Sequence, residues 1–174
     1  MAAERFVEAL NAQIGNELAA HNQYLACAVH YDAETMPRMA AFFYAQALEE
    51  RAHALMMVQY LLDTDADVTI PGVSAPTGAF ADVVAPVALA LDQEKRVTEQ
   101  INGLLRIARE ENDFASEQFM QWFIKEQVEE VATMTDLLAI VTRNQEDLED
   151  IEEYVAREQK TGAADPTAPR IAGA

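Results

Sequence analysis

Four stretches of this chain repeat apolar residues at alternating steps of three and four, and each carries a glutamate in mid-stripe. The first stripe reads Val7, Leu10, Ile14, Glu17, His21, Tyr24, Ala28 and Tyr31. The second reads Phe43, Ala47, Glu50, Ala54, Met57 and Leu61. The third is Val84, Val87, Leu91, Glu94, Thr98, Ile101 and Leu105, and the fourth Phe123, Gln127, Glu130, Met134, Leu137 and Val141. A stripe of this period is the buried seam of an amphipathic helix in a bundle. The pattern predicts helices over about 4–32, 36–63, 83–111 and 114–143. Thr35 and Pro37 are placed to start the second, and Asn112 or Asp113 the fourth. A short fifth helix, over about 146–159, has Leu148, Ile151 and Val155 on one face and must dock to be stable.

The connections select the topology. A few residues join helices one and two, and helices three and four, so each pair is an antiparallel hairpin. Between helices two and three runs "TDADVTIPGVSAPTGAFAD", a link of about 19 residues that reaches roughly 60 Å when extended. A 28-residue helix is about 42 Å long. The link can therefore travel the full bundle and leave helices two and three parallel. The expected fold is all-α: one domain over residues 1–159, a four-helix bundle with a long crossover and a short fifth helix. The small, Pro-containing stretch over 160–174 is expected to be a flexible tail.

In an antiparallel bundle, helix midpoints stay level whichever way each helix runs. Glu17, Glu50, Glu94 and Glu130 therefore converge, and His53, at i+3 from Glu50, joins them. Four ionised carboxylates in an apolar core are prohibitively costly unless compensated. The chain has three lysines, and neither Lys nor Arg falls on these seams. Bound metal supplies the missing charge. An oxygen-rich set with one nitrogen suits iron or manganese better than structural zinc, and four carboxylates hold two metals if one bridges. Only one Glu-x-x-His occurs, Glu50–His53; its counterpart on the fourth helix ends in Thr133, so the site is asymmetric. Glu49, Glu126 and Glu129 flank these ligands and read equally as further ligands or as a plain acidic face. Tyr24 reads as a core tyrosine or as a donor to a ligand carboxylate. His21 and His30 read as structural histidines, and Trp122, Met56 and Met57 as packing residues.

A formal net charge of −18 excludes nucleic acid as a natural partner and disfavours an anionic membrane surface, while drawing cations in. The longest apolar run, "VVAPVALAL", is too short to span a bilayer. A single cysteine, Cys27, and a start without a signal-like apolar region lead to the expectation of a cytoplasmic protein.

The motifs "NELAAHNQYLA", "QALEERAHA", "LDQEKRVTEQI" and "QFMQWFIKEQVEEV" resemble the bacterial non-haem ferritins, over about residues 4–159. The resemblance implies a hollow cage of twenty-four subunits. In it, Fe(II) is oxidised by O2 or hydrogen peroxide at a di-iron centre and stored as a ferric oxyhydroxide mineral. It implies one iron site at Glu17, Glu50 and His53, and a second at Glu50, Glu94 and Glu130. Gln127 would lie on the oxygen-binding side, with Tyr24 hydrogen-bonded within the centre. A third iron site would use Glu49, Glu126, Glu129 and Glu130. Bacterioferritins, by contrast, bind haem through a methionine directly after the second-helix glutamate. Arg51 stands there, so no haem is expected. The rival readings are a di-iron oxygenase or peroxidase of the same superfamily, and a passive acidic cation-binding cage.

Overall fold

A computed structural model describes residues 2–158 and 165–174. It contains five helices: α1 (Glu4–Ala33), α2 (Pro37–Asp63), α3 (Ala85–Glu110), α4 (Phe114–Arg143) and α5 (Leu148–Glu158). No strand occurs among the described residues, and no helix is long and apolar enough to cross a membrane. The four long helices fall where the stripes place them, within two residues. The later start of α3 has a local cause. Asp82 Oδ1 accepts the backbone N–H groups of Val84 and Ala85, both at 2.9 Å, and holds the chain outside the helix until Ala85.

Helices α1, α2 and α3 end by one device. Thr35, Asp65 and Asn112 adopt positive φ (61°, 56° and 56°). The next N–H then reaches back across the final turn: Met36 to Tyr31 O, Ala66 to Leu61 O and Asp113 to Ala108 O, at 2.8–2.9 Å. Thr35 is thus spent closing α1 and does not cap α2 as its sequence position indicates. Glu152 of α5 performs that task instead, accepting from the N–H groups of Arg38 at 2.8 Å and Met39 at 2.9 Å. The fourth helix is capped as expected: Asp113 accepts from Ser116 N at 3.1 Å, and it also takes Ala3 N at 2.9 Å.

The crossover follows α1. Asn11 bonds to Asp67 O and Thr69 N, and Gln23 exchanges two hydrogen bonds with the backbone of Thr77, each 2.9 Å. Tyr31 donates to Val83 O at 2.7 Å. Gly15 has a steric reason in this path, since a Cβ there would lie 2.6 Å from Pro71 Cγ. Running from Asn11 to Tyr31 carries the chain some 30 Å along the bundle, which sets α2 and α3 parallel.

The apolar interior is in two parts. One cluster, toward the C-terminal half of α1, includes Tyr31, Met39, Phe43, Leu91, Met134, Val141 and Ile151; the other includes Phe6, Leu10, Met57, Leu61, Ile101, Met120 and Phe123. Between them lies a layer of buried polar side chains, Glu17, Glu50, His53, Glu94, Gln127 and Glu130. Backbones approach within 8 Å in the pairs α1–α2, α3–α4 and α1–α3, but α2 and α4 hardly do so. That wider gap opens the polar layer to one side.

Residues 165–174, expected to hang free, instead lie on the bundle, where Ala168 and Ile171 pack against the second cluster. Small side chains made the segment look featureless, but they let its backbone approach α2: Ala172 N–H donates to Leu55 O at 3.2 Å. The rest of the expected tail, 160–164, lies outside the described residues. Docking of α5 through Glu152 gives a test. Removing that carboxylate in Glu152→Ala should destabilise the fold by about 1 kcal/mol, the ordinary cost of a lost helix cap. Denaturant unfolding would measure it, and hydrogen exchange at Arg38 and Met39 should rise first.

Candidate metal centre

Each helix delivers one glutamate to the polar layer because its seam faces inward at that height. Glu50 and Glu94 are fully buried, and Glu17, His53 and Glu130 are at most 5% exposed. The layer holds no lysine or arginine. Instead, neutral donors secure single oxygens. Gln13, one turn before Glu17, donates to Glu17 Oε1 at 2.8 Å. Tyr24 donates to Glu94 Oε1, and Gln127 Nε2 approaches Glu94 Oε2 at 3.4 Å. Thr98 sits one turn after Glu94 and bonds both Glu94 O at 2.8 Å and Gln127 Oε1 at 2.9 Å. Tyr24 is therefore a donor to the carboxylate layer, the second of the two roles its sequence position left open.

What remains is a set of buried atoms without partners. Glu17 Oε2, both oxygens of Glu50, Glu130 Oε2 and His53 Nε2 make no hydrogen bond. Native interiors seldom leave such atoms unsatisfied. Glu17, Glu50 and His53 bring ligand atoms within 4.8 Å of one another, and so do Glu49, His53 and Glu126. One imidazole thus serves two groups, a sharing that sequence spacing did not reveal. Glu49, His53 and Glu126 come from adjacent turns of α2 and the facing turn of α4, so His53 at i+4 from Glu49 was the available signal. The trio Glu50, Glu94 and Glu130 does not close to the same separation. Glu94 is held back by Tyr24 and Gln127.

Electrostatics give the same picture. Burial raises the carboxyl groups of Glu17, Glu50 and Glu130 well above the ordinary range, and neighbouring carboxylates push them further. Glu94 and Glu126 rise for the same first reason, burial. Tyr24 is likewise raised well above its ordinary value by burial and then by Glu94. A divalent cation would reverse this by favouring the ionised carboxylates.

The gap between α2 and α4 forms a groove of about 970 Å³ that runs to α5. Gln46, Glu49, Glu126, Glu129, Glu130 and Asp136 line it. Glu129, which the spacing left undecided, stands exposed on this wall. On the adjoining face, a smaller pocket of about 410 Å³ lies between α3 and α4 among Ile124, Val128, Val131 and Gln127. The centre therefore has an acidic side and an apolar side, with Gln127 on the latter. The other two histidines lie outside both ligand groups. His21 Nδ1 lies 2.6 Å from Ala47 O, and His30 packs against the rings of Tyr31 and Phe80. Cys27 is buried, and burial pushes its thiol up to about 11. Trp122 packs its ring edge-on against His53, with centroids 5.6 Å apart.

Residues 7–144 match the ferritin-like domain family. The chain is 53% identical over 169 residues to ferritin BfrB of Mycolicibacterium smegmatis, covering 97% of this chain and 93% of that protein. It is 36% identical over 143 residues to the bacterial non-heme ferritin of Staphylococcus aureus, covering 82% and 86%. Among solved structures, an open pore ferritin from Archaeoglobus fulgidus superimposes with a TM-score of 0.85 at 29% identity, covering 90% of this chain and 97% of that one.

The raised carboxyls make a prediction for metal-free protein. A carboxyl that holds its proton more tightly when folded favours folding at low pH, and that contribution is lost as pH rises above about 4.3, the unfolded value. Chelator-treated protein should therefore lose stability from about pH 4.3 upward. The variant Glu17→Gln should be more stable than the parent at pH 7 by about 1–3 kcal/mol. Urea unfolding as a function of pH measures both, and Co(II) should abolish the parent's disadvantage.

Proposed function

The chain belongs to the ferritin-like domain family, and on that premise we propose that it is an iron-storage ferritin with ferroxidase activity. The observation that carries this reading is the layer of buried, unpartnered carboxylate oxygens around His53. In the proposed reaction, Fe(II) enters from the acidic groove between α2 and α4. Glu17, Glu50 and His53 hold one ion. Glu50, Glu94 and Glu130 hold a second, once Glu94 turns from its apo hydrogen bonds. The two Fe(II) ions each give up one electron, which together take O2 to the level of peroxide or hydrogen peroxide to water. Facing carboxylates stabilise the gain in charge from Fe(II) to Fe(III), since the added charge interacts favourably with each of them. Tyr24 and Gln127 orient Glu94.

Glu49, Glu126, Glu129 and Glu130 make up a third iron site in this reading, joined by His53. The groove they line leads Fe(III) away from the centre, to hydrolyse as ferric oxyhydroxide. The mineral requires an enclosed space, and we assign the chain to a homo-oligomeric cage of twenty-four subunits. We assign no haem to it, since Arg51 occupies the position of the haem-binding methionine. A di-iron oxygenase needs a substrate pocket open to its metals. Here the bonds linking Thr98, Gln127 and Glu94 stand between the apolar pocket and the carboxylates.

Stopped-flow absorbance after aerobic Fe(II) addition tests the reading. Glu50→Ala should slow initial oxidation at least about tenfold, since Glu50 belongs to both ion sites. Equal rates in variant and parent would remove the centre. Light scattering should find a particle of twenty-four chains, and a pyridine haemochrome assay should find no stoichiometric haem after incubation with haem.

A further inference from the structure

Asp165 belongs to the segment that sequence left as a featureless tail, yet its carboxylate is held from both sides. Oδ1 accepts the backbone N–H of Thr167 at 2.8 Å and the Thr167 hydroxyl at 2.7 Å, which fixes the orientation of the group. Oδ2 faces the bundle and accepts from Trp122 Nε1 at 3.2 Å and Lys125 Nζ at 3.3 Å. Beyond it the segment is fastened again. Arg170 lies 3.6 Å from Asp63, and Ala172 is bonded to Leu55. Trp122 and Lys125 are on α4, while Leu55 and Asp63 are on α2. The segment thus ties together the two helices whose own backbones stand apart.

The consequence reaches the metal centre through one ring. Trp122 is held at its N–H by Asp165 and meets His53 edge-on at the other end, with an interplanar angle of 72°. Phe123 presses on both rings. An indole fixed at its N–H restricts the tilt open to the imidazole against it. We propose that Asp165 is a positioning residue of the metal centre, acting through Trp122 to orient the His53 ring that both ligand groups share. The proposal rests on His53 being a metal ligand. It adds to that reading a contribution from outside the four-helix bundle.

Trp122 is the only tryptophan in the chain, so its fluorescence reports this contact without ambiguity. The experiment compares the parent assembly with Asp165→Ala, Asp165→Asn, Trp122→Phe and the Asp165→Ala/Trp122→Phe double variant. It reads Trp122 emission, acrylamide quenching and anaerobic binding of Co(II), a redox-inert probe. Asp165→Ala should shift emission to the red, increase quenching and weaken Co(II) binding by about tenfold, as loss of a ligand-orienting group does. Asp165→Asn keeps an acceptor for the indole and should retain most of the affinity. In the Trp122→Phe background, Asp165→Ala should cost no further affinity. Unchanged emission or unchanged affinity in Asp165→Ala overturns the proposal. So does a loss that persists without Trp122, which would mean that Asp165 attracts cations only by its charge. A parent that binds no Co(II) overturns the metal reading and this proposal together; a parent that binds, with Asp165→Ala equal to it, overturns this proposal alone.

Discussion

Uncompensated negative charge at mid-height is the constraint on which the rest of the structure depends. Glu17, Glu50, Glu94 and Glu130 are withdrawn from water with no lysine or arginine beside them. Amide and hydroxyl donors satisfy some of their oxygens and leave others exposed only to one another. Such a layer costs stability in the empty protein, and a bound cation would offset that cost. The fold meets that cost in the two apolar clusters on either side. It also leaves α2 and α4 apart, so that charge can enter the layer from one face.

The surroundings of this layer differ in chemistry from one face to the next. Carboxylates crowd the face between α2 and α4, offering the oxygen ligands that hard cations accept. Aliphatic side chains crowd the face between α3 and α4. Gln127 and Thr98 stand at the boundary, close enough to hold Glu94 and neutral enough not to compete with metal. His53 sits where the inner and outer carboxylate groups meet. Trp122 is the ring that meets it edge-on from α4.

Much of this was legible in the residues, for reasons that differ by feature. The helices were readable because long stripes of period 3.6 have no competing interpretation. The height of the four glutamates was readable because midpoints coincide in any antiparallel bundle. The crossover was readable from length alone, although its anchors were not: Asn11 and Gln23 act on backbone groups more than fifty residues away. Glu152 replaced Thr35 at the start of α2 because Thr35 had first to turn the chain out of α1, a tertiary demand that local capping preference cannot anticipate. The sharing of His53 needed the real angle between α2 and α4. The docking of residues 165–174 was illegible because it rests on one backbone hydrogen bond to Leu55, the Asp165 carboxylate, the Arg170–Asp63 pair and isolated contacts of Ala168 and Ile171, none of which leaves a hydrophobic period.

The polar layer also separates the interior into two regions whose apolar side chains do not form one continuous cluster. Leu10 and Met120 belong to one region, Leu91 and Val141 to the other. Volume changes in a packed core spread through touching neighbours, and here that spread stops at a sheet of carboxylates and amides. Substitutions on opposite sides should then combine by simple addition, while those within one side interact. Each half of the bundle is in this sense free to drift in sequence without retuning its counterpart, provided the layer between them keeps its height.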